Sequence, residues 1–207
     1  MQPMAPTKSR TYNSTRRSRQ AAETRAEILT AAVELFGEQG WSGTTLAAIA
    51  SRAGVAVETI YSGFGSKKGL LRAALDVAVV GDAEAIPFAE RPEALRLGEG
   101  SVDERLAAAA RVITDINERT VPVWRALVEA GRADEELERW RIESDARRRI
   151  DVAEGYARIF GRTVEGRQLE LLWAIFGHEL YMQLVVDAGM SRADYEACMI
   201  DALTKLA

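Results

Sequence analysis

The stretch from Thr44 to Leu71 constrains the fold of this chain more than any other. Apolar residues recur there at helical spacing, Gly54 interrupts the pattern, and a second, shorter pattern ends near Tyr61. Ser66 then precedes a third apolar run. A glycine at the interruption suits the left-handed residue that ends one helix before the chain crosses back over it. The spacing predicts a helix-turn-helix unit.

The residues before this stretch predict one more helix, over 22–39. Gly40 follows as a C-cap signal, and Trp41 is expected to fold back onto the apolar face of that helix. Thr44 or Thr45 then caps the next helix. A hydroxyl and free backbone N–H groups at a helix start also suit a phosphate, so capping and phosphate binding are both open for this threonine pair.

Charge is distributed unevenly along the chain. The net charge is −4, yet residues 1–80 carry ten Lys or Arg against six Asp or Glu, while residues 81–207 carry seventeen against twenty-five. The positive half is the one that holds the helix-turn-helix, which favours a nucleic-acid partner. Residues 1–20 are polar and basic, and we expect a disordered arm that is either a solvated tail or a further phosphate contact.

The composition limits where the protein works. No apolar run reaches the roughly 20 residues of a membrane span, and the basic amino-terminal stretch lacks the apolar segment of a signal peptide. We therefore expect a cytoplasmic protein with no membrane partner. The single cysteine, Cys198, cannot form an internal disulfide.

The segment from about Thr24 to Leu75 resembles the DNA-binding domain of the TetR family, the tetracycline-repressor-like bacterial transcription regulators. The resemblance is carried by Gly40 with its following aromatic, the paired threonines, Ile49-Ala50, Ala53-Gly54-Val55, Thr59-Ile60-Tyr61, Phe64 and Ser66-Lys67. It implies that the short helix near 56–61 enters the major groove, that Thr59 and Tyr61 contact phosphates or bases, and that Lys67 contacts a phosphate. Glu58 and Gly63 depart from the usual pattern. The predicted DNA-binding residues are Thr44, Thr45, Ala56, Val57, Glu58, Thr59, Tyr61, Ser62 and Lys67.

The rest of the chain is predicted to be helical, so the fold class is all-α with about nine helices. A Pro- and Gly-containing loop over 85–101 separates the amino-terminal helices from later ones over 103–118, 122–131, 134–160, 166–188 and 191–206. The predicted domains are the arm (1–20), a helix-turn-helix DNA-binding domain (21–82) and a ligand-binding and dimerisation domain (83–207).

The resemblance also implies a homodimer that binds a palindromic operator in double-stranded DNA and a small-molecule effector, most simply a repressor released by that effector. Aromatic and polar residues that could line the ligand cavity, or serve only as core, are Trp124, Trp140, Tyr156, Phe160, Phe176, His178 and Tyr181. The predicted dimer interface comprises Leu169, Leu172, Trp173, Phe176, Leu180, Leu184, Tyr195, Met199 and Ala202.

No pattern in the sequence predicts catalysis. His178 is the one histidine, and no paired Glu-x-x-His motif or glycine-rich phosphate loop accompanies it. We therefore expect no enzyme activity, no metal and no cofactor. The alternative is a helical small-molecule binding protein, or an enzyme, that keeps the amino-terminal fold without using it.

Overall fold

The computed structural model describes residues 9–82 and 90–206, with side chains from Arg16 onward. Within these ranges the regular elements are helical and none is a strand, which confirms the all-α class. The helices are α1 (Ser9–Gly43), α2 (Leu46–Arg52), α3 (Val57–Phe64), α4 (Lys67–Val80), α5 (Pro92–Leu95), α6 (Val102–Gly131), α7 (Glu135–Phe160), α8 (Gly166–Ile175), α9 (His178–Tyr181) and α10 (Arg192–Lys205). A 3-10 turn, Arg96–Gly98, follows α5, and a π-helical segment, Met182–Asp187, continues α9.

Local hydrogen bonds define the helix-turn-helix as predicted. The Thr45 hydroxyl accepts a bond from the Ala48 N–H at 3.0 Å and starts α2. At the other end, Gly54 has a φ of +67°, and the N–H of Val55 donates to the Ala50 carbonyl at 3.0 Å. This is the Schellman arrangement, in which a glycine reverses the chain at low steric cost.

Helix α1 extends further toward the amino terminus than the sequence predicts. It begins at Ser9, so residues 9–20 are helical where a disordered arm was expected; residues 1–8 lie outside the described part of the chain. Arg19 pairs with Glu23 at 3.7 Å, one helical turn apart. Extension of an existing helix needs no new nucleus, so this polar segment continues the stable helix over 22–39.

The core crosses the predicted boundary between the two main domains. Apolar residues of α1–α4 pack together with Trp124 and Leu127 of α6 and with Leu137 and Trp140 of α7. A second cluster joins the first half of α6 to α7, α8 and α10. Helix α6 therefore belongs to both cores.

Helix α6 is continuous, whereas the sequence predicted a break before Pro122. The proline lies inside the helix and packs on α1 at Gly37, where an added Cβ would lie 2.8 Å from the Pro122 Cβ. A proline removes one backbone hydrogen bond and disfavours an interior position. Helix α6 is nevertheless uninterrupted. Pro122 packs closely on α1, and the capping box of Ser101 and Glu104 stabilises the start of the helix.

The predicted helix over 166–188 is interrupted at Phe176 and Gly177, between α8 and α9. The Phe176 carbonyl, which lies at the interruption, accepts a bond from the side-chain amide of Asn117 on α6 at 3.4 Å. A buried side chain from another helix thus satisfies the interrupted backbone. The predicted helix over 191–206 is confirmed as α10, capped by Ser191.

Candidate functional site

The exposed face of α3 carries most of the residues predicted to read DNA. Thr59 and Ser62 are exposed, and Tyr61 is 54% exposed although it is a large aromatic residue. Ile60 between them is fully buried and fixes the orientation of the helix. The surface therefore presents three hydroxyl groups, which can donate to phosphates or base edges.

Glu58 and its neighbours complete this surface. Ala56 is exposed at the start of α3, and Val57 is half-buried against the core, so it offers little free surface. Glu58 lies in the first turn of α3, where no side chain caps the helix. A carboxylate in that position is stabilised by the helix dipole, which gives Glu58 a structural role without any base contact.

The two predicted threonines have different roles. Thr45 is exposed, and its hydroxyl caps α2. Thr44 is buried, and its hydroxyl lies 2.9 Å from the Leu35 carbonyl and 2.7 Å from the Gly40 carbonyl. The prediction that the Thr44 side chain contacts DNA therefore conflicts with the structure, because its hydroxyl already donates inside the protein.

Lys67 is also engaged inside the protein. Its ammonium group donates to the Trp41 carbonyl and lies 4.1 Å from the centre of the Trp41 ring, an ordinary cation–π distance. Partial burial lowers the pKa of Lys67, and the carboxylate of Glu129 opposes that shift. A phosphate contact by Lys67 would have to replace these interactions.

Two arginines of α1 stand beside the reading helix: Arg17, which belongs to the predicted basic arm, and Arg25, which the sequence analysis did not identify. Arg17 and Arg25 of α1 line a shallow groove together with Glu58, Thr59 and Ser62. The Arg25 guanidinium donates to the Gly63 carbonyl at 3.3 Å and lies 4.4 Å from the Phe64 ring centre. The spacing of eight residues places Arg17 and Arg25 on one side of α1, and this spacing could have indicated from the sequence that the two act together.

A carboxylate from α6 holds the segment that leads into α2. Helix α1 is kinked at Gly40, whose φ is +67°, and the N–H groups of Trp41 and Ser42 donate to Glu129 at 2.8 and 3.0 Å. The Ser42 side chain, together with the N–H groups of Ser42 and Trp41, lowers the pKa of Glu129, with a smaller contribution from Lys67. The Glu129 clamp, as we call these two hydrogen bonds, joins the helix-turn-helix to α6.

A cavity of about 560 Å³ lies among α4, α6, α7 and α8. Four of the seven predicted residues line it, namely Trp124, Tyr156, Phe176 and His178. The other three lie elsewhere: Trp140 in the first core, Tyr181 edge-on to Tyr195, and Phe160 against Tyr156. Lining residues that were not predicted include Asn117, Asp76, Asp145, Arg147, Arg148 and Asp151.

His178 lies in a buried hydrogen-bond network at the cavity wall. Its Nδ1 is 2.8 Å from the Asn117 side-chain oxygen, so this nitrogen carries the proton and donates. Asn117 donates in turn toward the Tyr195 hydroxyl at 3.3 Å. Burial, assisted by the charge of Arg148, lowers the pKa of His178 to about 3. His178 is therefore a neutral residue in both the core and the cavity wall.

The predicted dimer interface divides into buried and accessible residues. Leu172, Phe176, Tyr195 and Met199 are buried within the single chain, so their side chains cannot form the contact surface. The remaining predicted residues are partly accessible: Leu169, Trp173, Leu180, Leu184 and Ala202. Leu171 and Val186, which were not predicted, are 41% and 49% exposed.

The comparisons with known proteins agree with this geometry. The family model described as bacterial regulatory proteins of the tetR family matches residues 28–74. A solved regulator from Mesorhizobium loti, assigned to the TetR family, is 20% identical, with a TM-score of 0.61 over 90% of this chain and 96% of its own. The multidrug binding protein EbrR, solved in complex with imidazole, is 21% identical, with a TM-score of 0.57 over 89% of each chain. A search of curated proteins found no significant match.

These matches confirm the resemblance to the TetR family for the DNA-binding segment and for the fold of the chain as a whole. The family model covers α2 and α3, the carboxyl-terminal part of α1 and the amino-terminal part of α4. The structural similarity extends over the helices around the cavity as well. Residues 28–74 thus form a helix-turn-helix domain of the TetR family, and the chain as a whole has the fold of the TetR-family transcriptional regulators.

Proposed function

We propose that this protein is a dimeric, sequence-specific repressor that leaves a palindromic DNA operator when a small molecule occupies its cavity. One observation supports this most directly: the exposed hydroxyls of α3 stand beside Arg17 and Arg25, while α4 and α6 connect that surface to the cavity. Hydroxyl and guanidinium groups on adjacent exposed helices suit a duplex. We further propose that the protein is cytoplasmic and has no enzyme activity.

Helices α4 and α6 provide the connection between the two surfaces. Helix α4 begins at Lys67, directly after the helix-turn-helix, and contributes Leu75, Asp76 and Val79 to the cavity wall. Helix α6 contributes Asn117 and Trp124 to the same wall. A ligand that fits the cavity better in a second arrangement of these helices shifts the protein away from the DNA-binding arrangement.

The dimer would form through the outer faces of α8–α10. In contrast to the expectation from the sequence, the segment Gly166–Asp187 could cross a membrane by length and composition, yet only 28% of its most apolar window is buried in the single chain. Leu171 and Val186 are exposed on it. An accessible apolar face of this kind favours association with a second copy, and two reading helices multiply the DNA contacts.

The printed description of EbrR as a multidrug binding protein supports the small-molecule part of the proposal. That protein shares the fold of this one at low identity and was solved in complex with imidazole. The cavity of about 560 Å³ is within the usual range for ligand sites.

Binding of the protein to DNA from upstream of its own gene tests the proposal. Fluorescence anisotropy across a salt series should show at least about a hundredfold preference for that fragment over a scrambled one. Replacement of Thr59 by Ala together with Tyr61→Phe should weaken binding about tenfold or more. The control is Arg111→Ala, which removes an exposed charge far along the chain from α3.

Equal affinity for the two fragments, unchanged by the Thr59 and Tyr61 substitutions, would contradict the repressor proposal. Such a result would leave a helical small-molecule binding protein that does not use its amino-terminal fold. If binding is instead specific, profiling of the genomic fragments that the protein binds would identify the regulated genes.

A further inference from the structure

The cavity wall is mostly apolar but carries charges from α4 and α7. The lining contains three carboxylates, Asp76, Asp145 and Asp151, and two guanidinium groups, Arg147 and Arg148. These charges decide which ligands the cavity accepts, because an uncompensated charge of the same sign on the ligand would be repelled in a partly desolvated space. A ligand therefore interacts most strongly with those charges that other protein groups do not already compensate.

Asp145 and Arg148 are compensated by other protein groups. Asp145 pairs with Arg141 at 3.1 Å and with Arg148 at 3.2 Å. Arg148 also donates to the Trp173 carbonyl at 2.7 Å, and its guanidinium lies 4.8 Å from the Trp173 ring centre. The Arg148 Nε, which has no partner among the described residues, is fully buried and does not face the open space.

Asp76 and Asp151 differ from that pair. Both residues line the cavity and remain exposed to solvent, and neither carboxylate makes a hydrogen bond or ion pair within the described part of the chain. Partial desolvation raises the pKa of Asp76 and of Asp151, and the negative charge of Glu154 adds to the shift of Asp151. The positive charge of Arg147 opposes both shifts, and that of Arg148 opposes the shift of Asp151. Both carboxylates therefore lie within electrostatic reach of Arg147, which itself donates to Ser144 at 2.8 Å.

The aromatic part of the wall completes the arrangement. Trp124, Tyr156 and Phe176 line the same cavity as the two carboxylates. Aromatic faces attract cations, and indole does so most strongly. Apolar walls, aromatic faces and unpaired carboxylates together match an apolar cation and disfavour an apolar anion of the same size.

We infer that the cavity binds lipophilic organic cations, with Asp76 and Asp151 as the counter-charges. This inference rests on the proposed small-molecule site and specifies its ligand class. Because Asp76 lies on α4, which begins directly after the helix-turn-helix, attraction of a cation to Asp76 acts on the helix that connects the ligand to the DNA-binding surface.

Two ions of matched shape and opposite charge test the inference on the protein alone, without DNA. Calorimetric titration with tetraphenylphosphonium should show saturable binding of one ion per chain, and tetraphenylborate should bind at least about tenfold more weakly. Asp76→Asn and Asp151→Asn should each weaken tetraphenylphosphonium binding by about three- to tenfold, since each removes one partly screened attraction.

Two further variants test whether the change in affinity is specific to the charges that line the cavity. Glu143→Gln removes an exposed negative charge from α7 outside the cavity and should leave the affinity unchanged. Arg147→Gln removes the competing positive charge and should tighten tetraphenylphosphonium binding by about twofold or more. Circular dichroism of each variant checks that the helices are retained.

Tighter binding of tetraphenylborate, unchanged affinity in the Asp76→Asn and Asp151→Asn double variant, or no saturable binding of either ion would overturn the inference. Each of these results concerns the ligand class only. The DNA-binding experiment is independent of them, so a failure of the cation site and a failure of the repressor proposal are distinguishable.

Discussion

Helices α2–α4 are joined by turns whose hydrogen bonds are local, whereas the break between α8 and α9 beside the cavity is stabilised by a residue far away in the chain. Thr45 and Ser66 cap α2 and α4 three residues ahead of the bonded N–H groups. By contrast, the interruption between α8 and α9 is satisfied by Asn117, 59 residues away from Phe176. Local hydrogen bonds are encoded in short sequence patterns, and distant ones are not.

This difference has a functional counterpart. A reading helix must present the same side chains in every state of the protein, and the local hydrogen bonds at Thr45, Gly54 and Ser66, on either side of α3, favour that constancy. A cavity that responds to ligand needs walls whose packing can change, and contacts between distant segments allow such changes. Trp124, which belongs to the core shared with the amino-terminal helices and also lines the cavity, lies where the two regions meet.

Replacement of Trp124 by Ala should have the largest effect on stability. The side chain is 2% exposed, and its ring centre lies 4.7 Å from that of His178. We expect a loss of about 3–5 kcal/mol in the free energy of unfolding, measured by urea denaturation. Hydrogen exchange should show that amides of α2 and α3 lose protection together with those of α6, because the core is shared.

The control for that substitution is Trp173→Ala, at a partly accessible tryptophan that stacks on Arg148 and Arg149. Trp173→Ala should lower the free energy of unfolding clearly less than Trp124→Ala does. If α2 and α3 keep their protection in Trp124→Ala while the cavity region loses it, the two regions are independent units and the shared core does not couple them.

His178 should make the cavity region sensitive to acid. Its pKa falls from an ordinary value of 6.5 to about 3 in the folded protein. Between these values the unfolded chain binds a proton that the folded chain does not, so stability decreases as the pH falls below 6.5. Between pH 6.5 and 4.5 we expect this residue to account for about 2 kcal/mol of lost stability.

Urea denaturation of the wild type and of His178→Asn at both pH values, at one chain concentration, measures this contribution. The variant should lose less stability on acidification by that amount, since the remaining titrating groups are common to both proteins. Equal losses in the two proteins would show that His178 becomes protonated without cost, and the buried network would need another explanation.

The predictions from sequence succeeded where the signal was local. The turn at Gly54, the cap at Thr45 and the exposed face of α3 follow from residues within one or two helical turns. Thr44 could not be distinguished from Thr45, because the partners of its hydroxyl are carbonyls exposed by the kink at Gly40.

The failures in the second half have a common physical cause. Pro122 is interior because α1 offers Gly37 as a close contact, which no pattern near Pro122 records. Leu172 and Tyr195 belong to apolar stripes on α8 and α10, and a stripe shows that a face is covered without showing whether its own chain or a second copy covers it. Only packing decides that question.

The Glu129 clamp should contribute less to stability than Trp124 and more to the orientation of α2. In Glu129→Ala the N–H groups of Trp41 and Ser42 lose their charged acceptor, and we expect a loss of about 1–2 kcal/mol. DNA affinity should fall more than stability alone explains, because α2 and α3 follow directly. Anisotropy and urea denaturation of this variant measure the two effects.

Glu118→Ala is a suitable control for the clamp, because Glu118 is an exposed carboxylate of the same helix that lies about three helical turns before Glu129 and pairs with Arg192 of α10. If both variants lower DNA affinity equally, the effect comes from the loss of negative charge and not from the clamp. If neither does, the position of α2 is fixed by its local caps alone, and the two regions differ even more than their contacts indicate.

The smallest expected effect is on the salt dependence of DNA affinity, and it separates the roles of the two cationic residues Arg25 and Lys67 near α3. Arg25→Met should reduce the slope of log affinity against log salt by about one, because it removes one phosphate-neutralising charge. Lys67→Met should leave that slope unchanged, since the ammonium group is held by Trp41 inside the protein. Salt titrations of both variants decide between the residue indicated by resemblance and the one placed beside the reading helix by the structure. A reduced slope for Lys67→Met with no change for Arg25→Met would mean that DNA draws the lysine away from Trp41, and the amino-terminal region would then rearrange on binding as the cavity region is expected to do.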